Sequence, residues 1–181
     1  MARLFYFLFV APLSHLPLCI LYRISDLLYI LLITIIPYRK KVIEENILRS
    51  FPEFSKSERA KLKRDFYRHF ADLLIEGIKN LSISKVELEK RMILQNPEIM
   101  KDLFEKNKNV ILVSGHFNNW EWLITAQSFL IPHKAFGIGM PLTNQFWDKK
   151  LMERRSRFGM SVIHSKNYKS ELMNYNEKPF A

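Results

Sequence analysis

A short apolar run that breaks on Gly115 constrains the fold of this chain more than any other feature. Residues Val110–Val113 are β-branched or aliphatic, with Lys-Asn before them and Ser-Gly after them, so the run predicts a buried strand. Residues 119–129 predict a helix directly after it. Such a pair is typical of open α/β sheets, which bind ligands at the carboxyl ends of their strands, where the first N–H groups of the next helix are unpaired.

The predicted turn carries a histidine, His116, five residues before Glu121. Residues five apart on one helix point roughly 140° away from each other, so the two side chains meet only if His116 lies in the turn. Glu121 could then accept a hydrogen bond from one ring nitrogen and leave the other free as a general base. Because no Ser-His or Cys-His pattern accompanies the pair, the attacking group would belong to a substrate. A surface or core pair without a catalytic role is the alternative.

Strands and helices alternate after the central run. Residues 135–138 and 161–163 predict strands, and residues 144–158 and 168–176 predict helices. This alternation predicts an α/β fold with a parallel sheet flanked by helices. Three strands leave an unpaired edge, so we expect the sheet to be incomplete at its C-terminal side. We also expect the chain to be an N-terminal portion of a longer enzyme that is poorly stable or inactive by itself.

The N-terminal residues are mostly apolar and predict a membrane anchor over residues 1–36. Leu4–Tyr22 has the length of a membrane span, whereas Leu27–Ile36 is too short by itself. The pattern fits one membrane helix or a hairpin in one leaflet, and a buried hairpin of a soluble protein is the alternative. A basic cluster follows at residues 39–41, which places the downstream chain in the cytoplasm.

Residues 37–95 predict a helical region, and residues 96–181 predict the α/β core. Ser55 and Glu58 have the spacing of a capping box, and apolar residues then recur at three- and four-residue steps. The opposite face is basic. It is either a solvated face or a surface held near anionic lipid.

The net charge of +10 and the single cysteine limit the partners and cofactors of the chain. The charge favours polyanions, such as nucleic acid, anionic lipid or an acidic carrier protein. One cysteine excludes an internal disulfide and a multi-cysteine metal site. Gly137 and Gly139 lack the third glycine and the acidic partner of a dinucleotide-binding loop. We therefore expect no metal and no cofactor.

Residues 115–121, Gly-His-Phe-Asn-Asn-Trp-Glu, resemble the His-x-x-x-x-Asp/Glu motif of glycerolipid acyltransferases. With its surroundings, the chain is similar to the bacterial lipid A biosynthesis (lauroyl/myristoyl) acyltransferase family. The supporting matches occur in family order and cover nearly all of the chain: Tyr38-Arg-Lys-Lys, Asn46 with Ser50-Phe-Pro-Glu53, Phe66-Tyr-Arg-His-Phe70 and Arg155-Ser-Arg-Phe-Gly159. Family members are longer, and this chain ends before their later strands.

The resemblance implies transfer of a fatty acyl chain from the thioester of acyl carrier protein to a hydroxyl of a lipid A precursor or related glycolipid. His116 would take the hydroxyl proton, and Glu121 would stabilise the resulting imidazolium. The implied location is the bacterial inner membrane, with the catalytic part facing the cytoplasm.

The same resemblance suggests which residues bind the substrates. Arg155 matches the family arginine that follows the substrate strand, so Arg155 and Arg157 are expected to bind a phosphorylated acceptor. The start of the helix, with Asn118 and Asn119, is expected to bind the reacting group through unpaired N–H groups. The alternative for this basic segment is a solvated face.

Three other functions stay open at this point. The first is a membrane-tethered, catalytically inert protein that holds anionic lipid on its basic faces. Nucleic-acid binding ranks lower and is not expected, because the basic residues form no known reading motif. The last is hydrolysis of a thioester or lipid, with water in place of the hydroxyl.

Overall fold

The structure, a computed structural model, describes residues 1–36, 38–175 and 179–181. The chain folds into two compact units: Met1–Ser14 with Asn80–Ala181, and His15–Lys79. The division into anchor, helical region and catalytic core stays a prediction. In chain order the helices are α1 (Ala2–Phe5), α2 (Ala11–His15), α3 (Leu18–Ile30), α4 (Lys40–Ser50), α5 (Lys56–Lys79), α6 (Lys85–Arg91), α7 (Pro97–Glu105), α8 (Trp120–Leu130), α9 (Gln145–Arg155) and α10 (Tyr168–Met173), with π-helical turns at Tyr6–Val10 and Leu31–Ile35 and strands β1 (Phe136–Gly139) and β2 (Ser161–His164).

The unit His15–Lys79 is helical, and its longest helix, α5, begins at the predicted capping box. The Ser55 N–H donates to Glu58 Oε2 at 2.7 Å, and the Glu58 N–H donates to Ser55 Oγ at 3.3 Å. Both halves of the predicted box are therefore confirmed. The core lies where α4, α5 and the helix from α3 through Leu31–Ile35 pack together, and its buried members are Leu32, Ile43, Ile47, Tyr67 and Ala71.

The predicted membrane span Leu4–Tyr22 is wrong, because no single helix covers it. The helical residues 2–15 end before Pro17, and α3 begins at Leu18. Proline has no N–H to donate to the preceding turn and disfavours helical backbone at the residue before it, Leu16. Within the described residues, the helix that is long and apolar enough to cross a membrane is Leu18–Ile35.

The unit that contains residues 80–181 holds a small parallel sheet. β1 pairs with β2 in register from Phe136 opposite Ser161 to Gly139 opposite His164. These two predicted strands and their parallel direction are confirmed, and the mixed helix and strand content is consistent with the α/β class. The predicted helix over 168–176 is observed as α10, and its last predicted residue, Asn176, lies outside the described residues.

The third predicted strand, Val110–Val113, is wrong. These residues belong to no helix or strand, and the side chains of Ile111 and Val113 are 90% and 92% exposed. The Val110 N–H donates to the carbonyl oxygen of Phe180 at 2.9 Å, and Phe180 forms a parallel bridge with Lys134. Beyond Val110, no backbone pairing to the described residues continues this contact. A β-branched run becomes a strand only where a partner strand accepts its backbone hydrogen bonds.

Candidate active site

The sharp turn before α8 places His116 at the surface. Asn118 has a left-handed backbone (φ 50°), a conformation that asparagine tolerates better than most residues. Asn119 caps the helix, because its side-chain oxygen accepts a hydrogen bond from the Trp122 N–H at 3.1 Å. The His116 side chain is exposed, and its ring meets the Trp120 ring edge-on, with the ring centroids 4.3 Å apart. Trp120 thus contacts the ring of His116, the residue that the sequence predicts to be the general base.

Glu121, on the first turn of α8, forms ion pairs with two arginines from the end of α9. Arg154 donates from Nη2 to Oε2 of Glu121, and Arg155 donates from Nη2 to Oε1 at 2.6 Å. A longer bond of 3.3 Å joins Arg155 Nε to Oε2. The three side chains are largely buried, with exposed fractions of 18% for Glu121, 13% for Arg154 and 14% for Arg155. We call these three residues the Glu121 cluster.

The Glu121 cluster carries a net positive charge in a partly desolvated place. Burial lowers the pKa of the Arg154 guanidinium, the negative charge of Glu121 opposes that shift, and the positive charge of Arg155 adds to it. The Nε atom of Arg154 is buried without a hydrogen-bond partner among the described residues. With two arginines and one carboxylate, the cluster has one positive charge that Glu121 does not neutralise.

Trp120 lies between the histidine and the cluster. The guanidinium carbon of Arg155 is 5.6 Å from the centroid of the Trp120 ring, and the same ring contacts His116. Cations are attracted to the face of an indole ring at this distance. The Trp120 side chain therefore contacts both His116 and Arg155.

The predicted hydrogen bond between His116 and Glu121 is absent from the contacts of the described residues, in which the Glu121 carboxylate bonds to Arg154 and Arg155. An ionised carboxylate offers roughly four acceptor positions, and the two arginines take three of them. One position on Oε1 stays open to a further donor. The pairing of His116 with Glu121 therefore stays a prediction.

The other predicted binding residues lie in two places. Arg155 belongs to the Glu121 cluster, whereas Arg157 is exposed and lies 5.1 Å from the centroid of the Phe158 ring. Asn118 and Asn119 form the turn beside His116. The N–H groups of Phe117 and Asn118 donate to no group among the described residues, so they are free to bind a developing oxyanion. Binding of substrate by these residues stays a prediction.

The basic run 154–157 does not form one uniform surface. Arg154 and Arg155 form ion pairs with the largely buried Glu121. The carboxylate next to them in the sequence, Glu153, pairs with Lys150 on a more exposed side of α9. A solvated face therefore does not describe the two arginines at the end of the helix. The sequence alone singled out Arg155 but assigned no role to Arg154 or Trp120.

A fully buried asparagine, Asn80, supports the helix that carries Glu121. Its Nδ2 donates to Thr125 Oγ1 at 2.9 Å and to the Glu121 carbonyl oxygen at 3.3 Å. Thr125 also donates to that carbonyl, at 2.9 Å. Nothing in the local sequence points to Asn80, because its partners follow more than forty residues later.

Replacing Asn80 by alanine should lower the free energy of unfolding by about 1–3 kcal/mol, since the change removes a buried donor from two acceptors. Denaturant unfolding of the Asn80→Ala variant measures this loss. Asn174→Ala, a change at the end of α10, is the matched control and should stay within about 0.5 kcal/mol of the wild type. Equal midpoints for the two variants would contradict a supporting role for Asn80.

The sequence profile described as bacterial lipid A biosynthesis acyltransferase matches residues 2–178. A search of the curated proteins and a search of the solved structures find no match. The match covers nearly the whole chain, including the His116 turn, the Glu121 cluster and the apolar helix. This chain belongs to the bacterial lipid A biosynthesis acyltransferase family.

Proposed function

We propose that the protein transfers a fatty acyl chain from the thioester of acyl carrier protein to a hydroxyl of a lipid A precursor or related glycolipid. Membership in the family implies an acyltransferase of lipid A biosynthesis, and the proposal adds the donor, the acceptor group and the residues. One observation supports it most: an exposed histidine contacts Trp120, which also contacts the positively charged Glu121 cluster. A base beside a cationic site suits a hydroxyl on a phosphorylated lipid.

In the proposed reaction, His116 accepts the proton of the acceptor hydroxyl as its oxygen attacks the thioester carbonyl carbon. A carbon–oxygen bond forms, and the N–H groups of Phe117 and Asn118 stabilise the negative charge on the carbonyl oxygen. The carbon–sulfur bond then breaks, and the thiolate leaves. Because a thiol has an unperturbed pKa near 8.5, the proton held by His116 is sufficient to neutralise it.

Glu121 has two roles in this proposal. Its open acceptor position takes the ring N–H of His116 in the substrate complex and stabilises the imidazolium. Its three bonds to the arginines hold the carboxylate on one side of the first turn of α8. Arg154 and Arg155 are then positioning residues for Glu121 as well as a source of positive charge.

The acceptor is proposed to bind through phosphate. Arg155 offers a planar fork of donors, two of which bond to Glu121, and the cluster keeps one uncompensated positive charge. A phosphate group would neutralise that charge. Arg157, exposed beside Phe158, is a second donor for the same substrate.

The donor and the location follow from charge and hydropathy. A chain with a net charge of +10 attracts an acidic carrier protein. The apolar helix Leu18–Ile35 hints at membrane association, and the basic residues 39–41 favour the cytoplasmic side. We therefore propose the cytoplasmic face of the bacterial inner membrane, where a carrier protein and a lipid acceptor can both reach the site.

Purified protein incubated with acyl carrier protein that bears a labelled acyl chain tests the proposal. With a phosphorylated glycolipid present, the label should move to the glycolipid, and without it the label should stay on the carrier. Release of free fatty acid at the same rate in both mixtures would identify a hydrolase instead. No consumption of the thioester, together with tight binding of the glycolipid, would favour a catalytically inert lipid-binding protein.

A further inference from the structure

The apolar helix Leu18–Ile35 has two different faces within the unit His15–Lys79. The inner face packs against α5, and its buried residues are Leu18, Leu21, Ser25 and Leu32. The outer face is exposed, and its residues are Cys19, Ile20, Arg23, Leu27, Ile30, Thr34 and Ile35. The outer face is therefore an apolar surface that the described residues leave open.

Charged side chains of α5 form hydrogen bonds or an ion pair with successive turns of this helix. Tyr22 donates to Glu76 Oε1 at 2.7 Å, and Ser25 donates to Asp72 Oδ1 at 2.6 Å.

Arg68, one turn before Asp72 on α5, places its Nη1 3.1 Å from Asp26 Oδ1 and its guanidinium carbon 4.9 Å from the centroid of the Tyr29 ring. Ionisable side chains of α5 thus contact the middle of the helix, from Tyr22 to Tyr29.

These contacts are incompatible with a membrane-spanning orientation. An 18-residue helix is about 27 Å long, close to the thickness of the hydrocarbon layer. Asp26 is at the middle of the helix and would lie near the centre of the bilayer. Because α5 contacts this helix, Arg68, Asp72 and Glu76 would also lie within the bilayer. Ionised groups at that depth are costly unless they line a polar cavity. Both side chains of the Asp26–Arg68 pair are about half exposed.

We propose that the unit His15–Lys79 binds the surface of an anionic lipid bilayer through the outer face of Leu18–Ile35, with this helix lying parallel to the membrane plane rather than crossing it. A helix of this kind places its apolar face at the boundary between headgroups and acyl chains. The residues of the outer face would then all lie at the same depth in the membrane, while α5 and its charged side chains would stay in water. The proposal refines the membrane location above but rests on contacts that do not involve the active site.

Charge complementarity identifies the bilayer as anionic. Arg23 lies on the outer face, where its long side chain can reach the headgroups. Exposed Arg39, Lys40 and Lys41 follow the end of the helix. Basic residues next to an apolar membrane-binding face are attracted to anionic headgroups.

The single cysteine of the chain makes the depth of the helix measurable. In a Cys19→Ser background, a fluorophore or spin label is attached at Ile20→Cys, Leu27→Cys or Thr34→Cys, one position in each protein. These positions are seven residues apart, two helical turns, and share the outer face. With vesicles of phosphatidylcholine and phosphatidylglycerol, quenchers at known depths should give equal, shallow depths for the three labels. A label at residue 27 that lies about 10 Å deeper than the other two would show a spanning helix and overturn the proposal.

Binding to vesicles tests the surface with a matched pair of variants. Leu27→Glu puts a charge in the outer face, and Ile93→Glu puts one at a residue that is 79% exposed in the other unit. We expect Leu27→Glu to weaken sedimentation with the anionic vesicles by roughly tenfold or more, and Ile93→Glu to leave it unchanged. Vesicles of phosphatidylcholine alone should bind the wild type less well.

Two outcomes contradict the proposal. Equal binding of Leu27→Glu and the wild type would show that the outer face does not touch lipid. A wild-type dimer that Leu27→Glu converts to a monomer, without vesicle binding by either, would identify a second copy of the chain as the partner. Acyl transfer to a detergent-solubilised acceptor does not need the bilayer, so failure of this proposal and failure of the proposed reaction give different results.

Discussion

Replacing His116 by alanine should lower acyl-transfer turnover by about 10²- to 10⁴-fold, the usual contribution of a general base. A loss of activity would not reflect a loss of packing, because the His116 side chain is exposed and its contact within the described residues is with the Trp120 ring. The fold should therefore survive the change. Steady-state turnover with acyl carrier protein thioester and glycolipid measures the effect, and thermal unfolding checks the fold.

A second histidine supplies the control for this prediction. His69 is exposed on α5, in the other unit, and His69→Ala should keep turnover within about twofold of the wild type, since it lies outside the proposed site. Wild-type turnover in a folded His116→Ala protein would exclude His116 as the base. Equal losses in both variants would point to a general effect of removing histidine.

Replacing Glu121 by alanine should destabilise the protein by about 1–3 kcal/mol and also abolish most activity. Removing one partner of a buried ion pair costs about 3–5 kcal/mol because the other charge is left uncompensated. Here two guanidinium groups are left, Arg154 and Arg155, but each keeps some exposure to water, which reduces the loss. Chemical denaturation measures the stability, and turnover is measured beside it.

Two variants sharpen the Glu121 test. Glu153→Ala removes the carboxylate that precedes Arg154 on α9, where it pairs with Lys150 at a more exposed position, and should cost less than about 1 kcal/mol. Adding Arg154→Met to Glu121→Ala should recover part of the lost stability, because the pair is coupled. Equal losses in Glu121→Ala and Glu153→Ala, or no recovery in the double variant, would show that the Glu121 cluster is not an energetic unit. Full turnover in Glu121→Ala would remove Glu121 from the proposed mechanism.

The local sequence determined most of the helices and the start of the candidate site. Ser55 with Glu58 predicted the start of α5, and the observed hydrogen bonds close that box. The helix that carries Glu121 begins within one residue of its predicted start. Caps and amphipathic periods act between residues one or two turns apart, so they can be read from the sequence without knowledge of the fold. The resemblance of residues 115–121 to a family motif identified His116 and Glu121, and the family assignment is confirmed.

Tertiary structure alone decided the pairings between residues distant in the chain. Val110–Val113 has the composition of a strand, but beyond the bond from Val110 to Phe180 its backbone pairs with none of the described residues, and a strand depends on hydrogen bonds from another segment. The partners of Glu121 are 33 and 34 residues away, and spacing could not choose them over the nearby His116. The same limit applies to Leu18–Ile35, whose composition fits a membrane span. Its contacts with Arg68, Asp72 and Glu76 distinguish a side that faces α5 from an exposed apolar side. Hydropathy could not predict this difference, because it measures composition and not which neighbours pack against a helix.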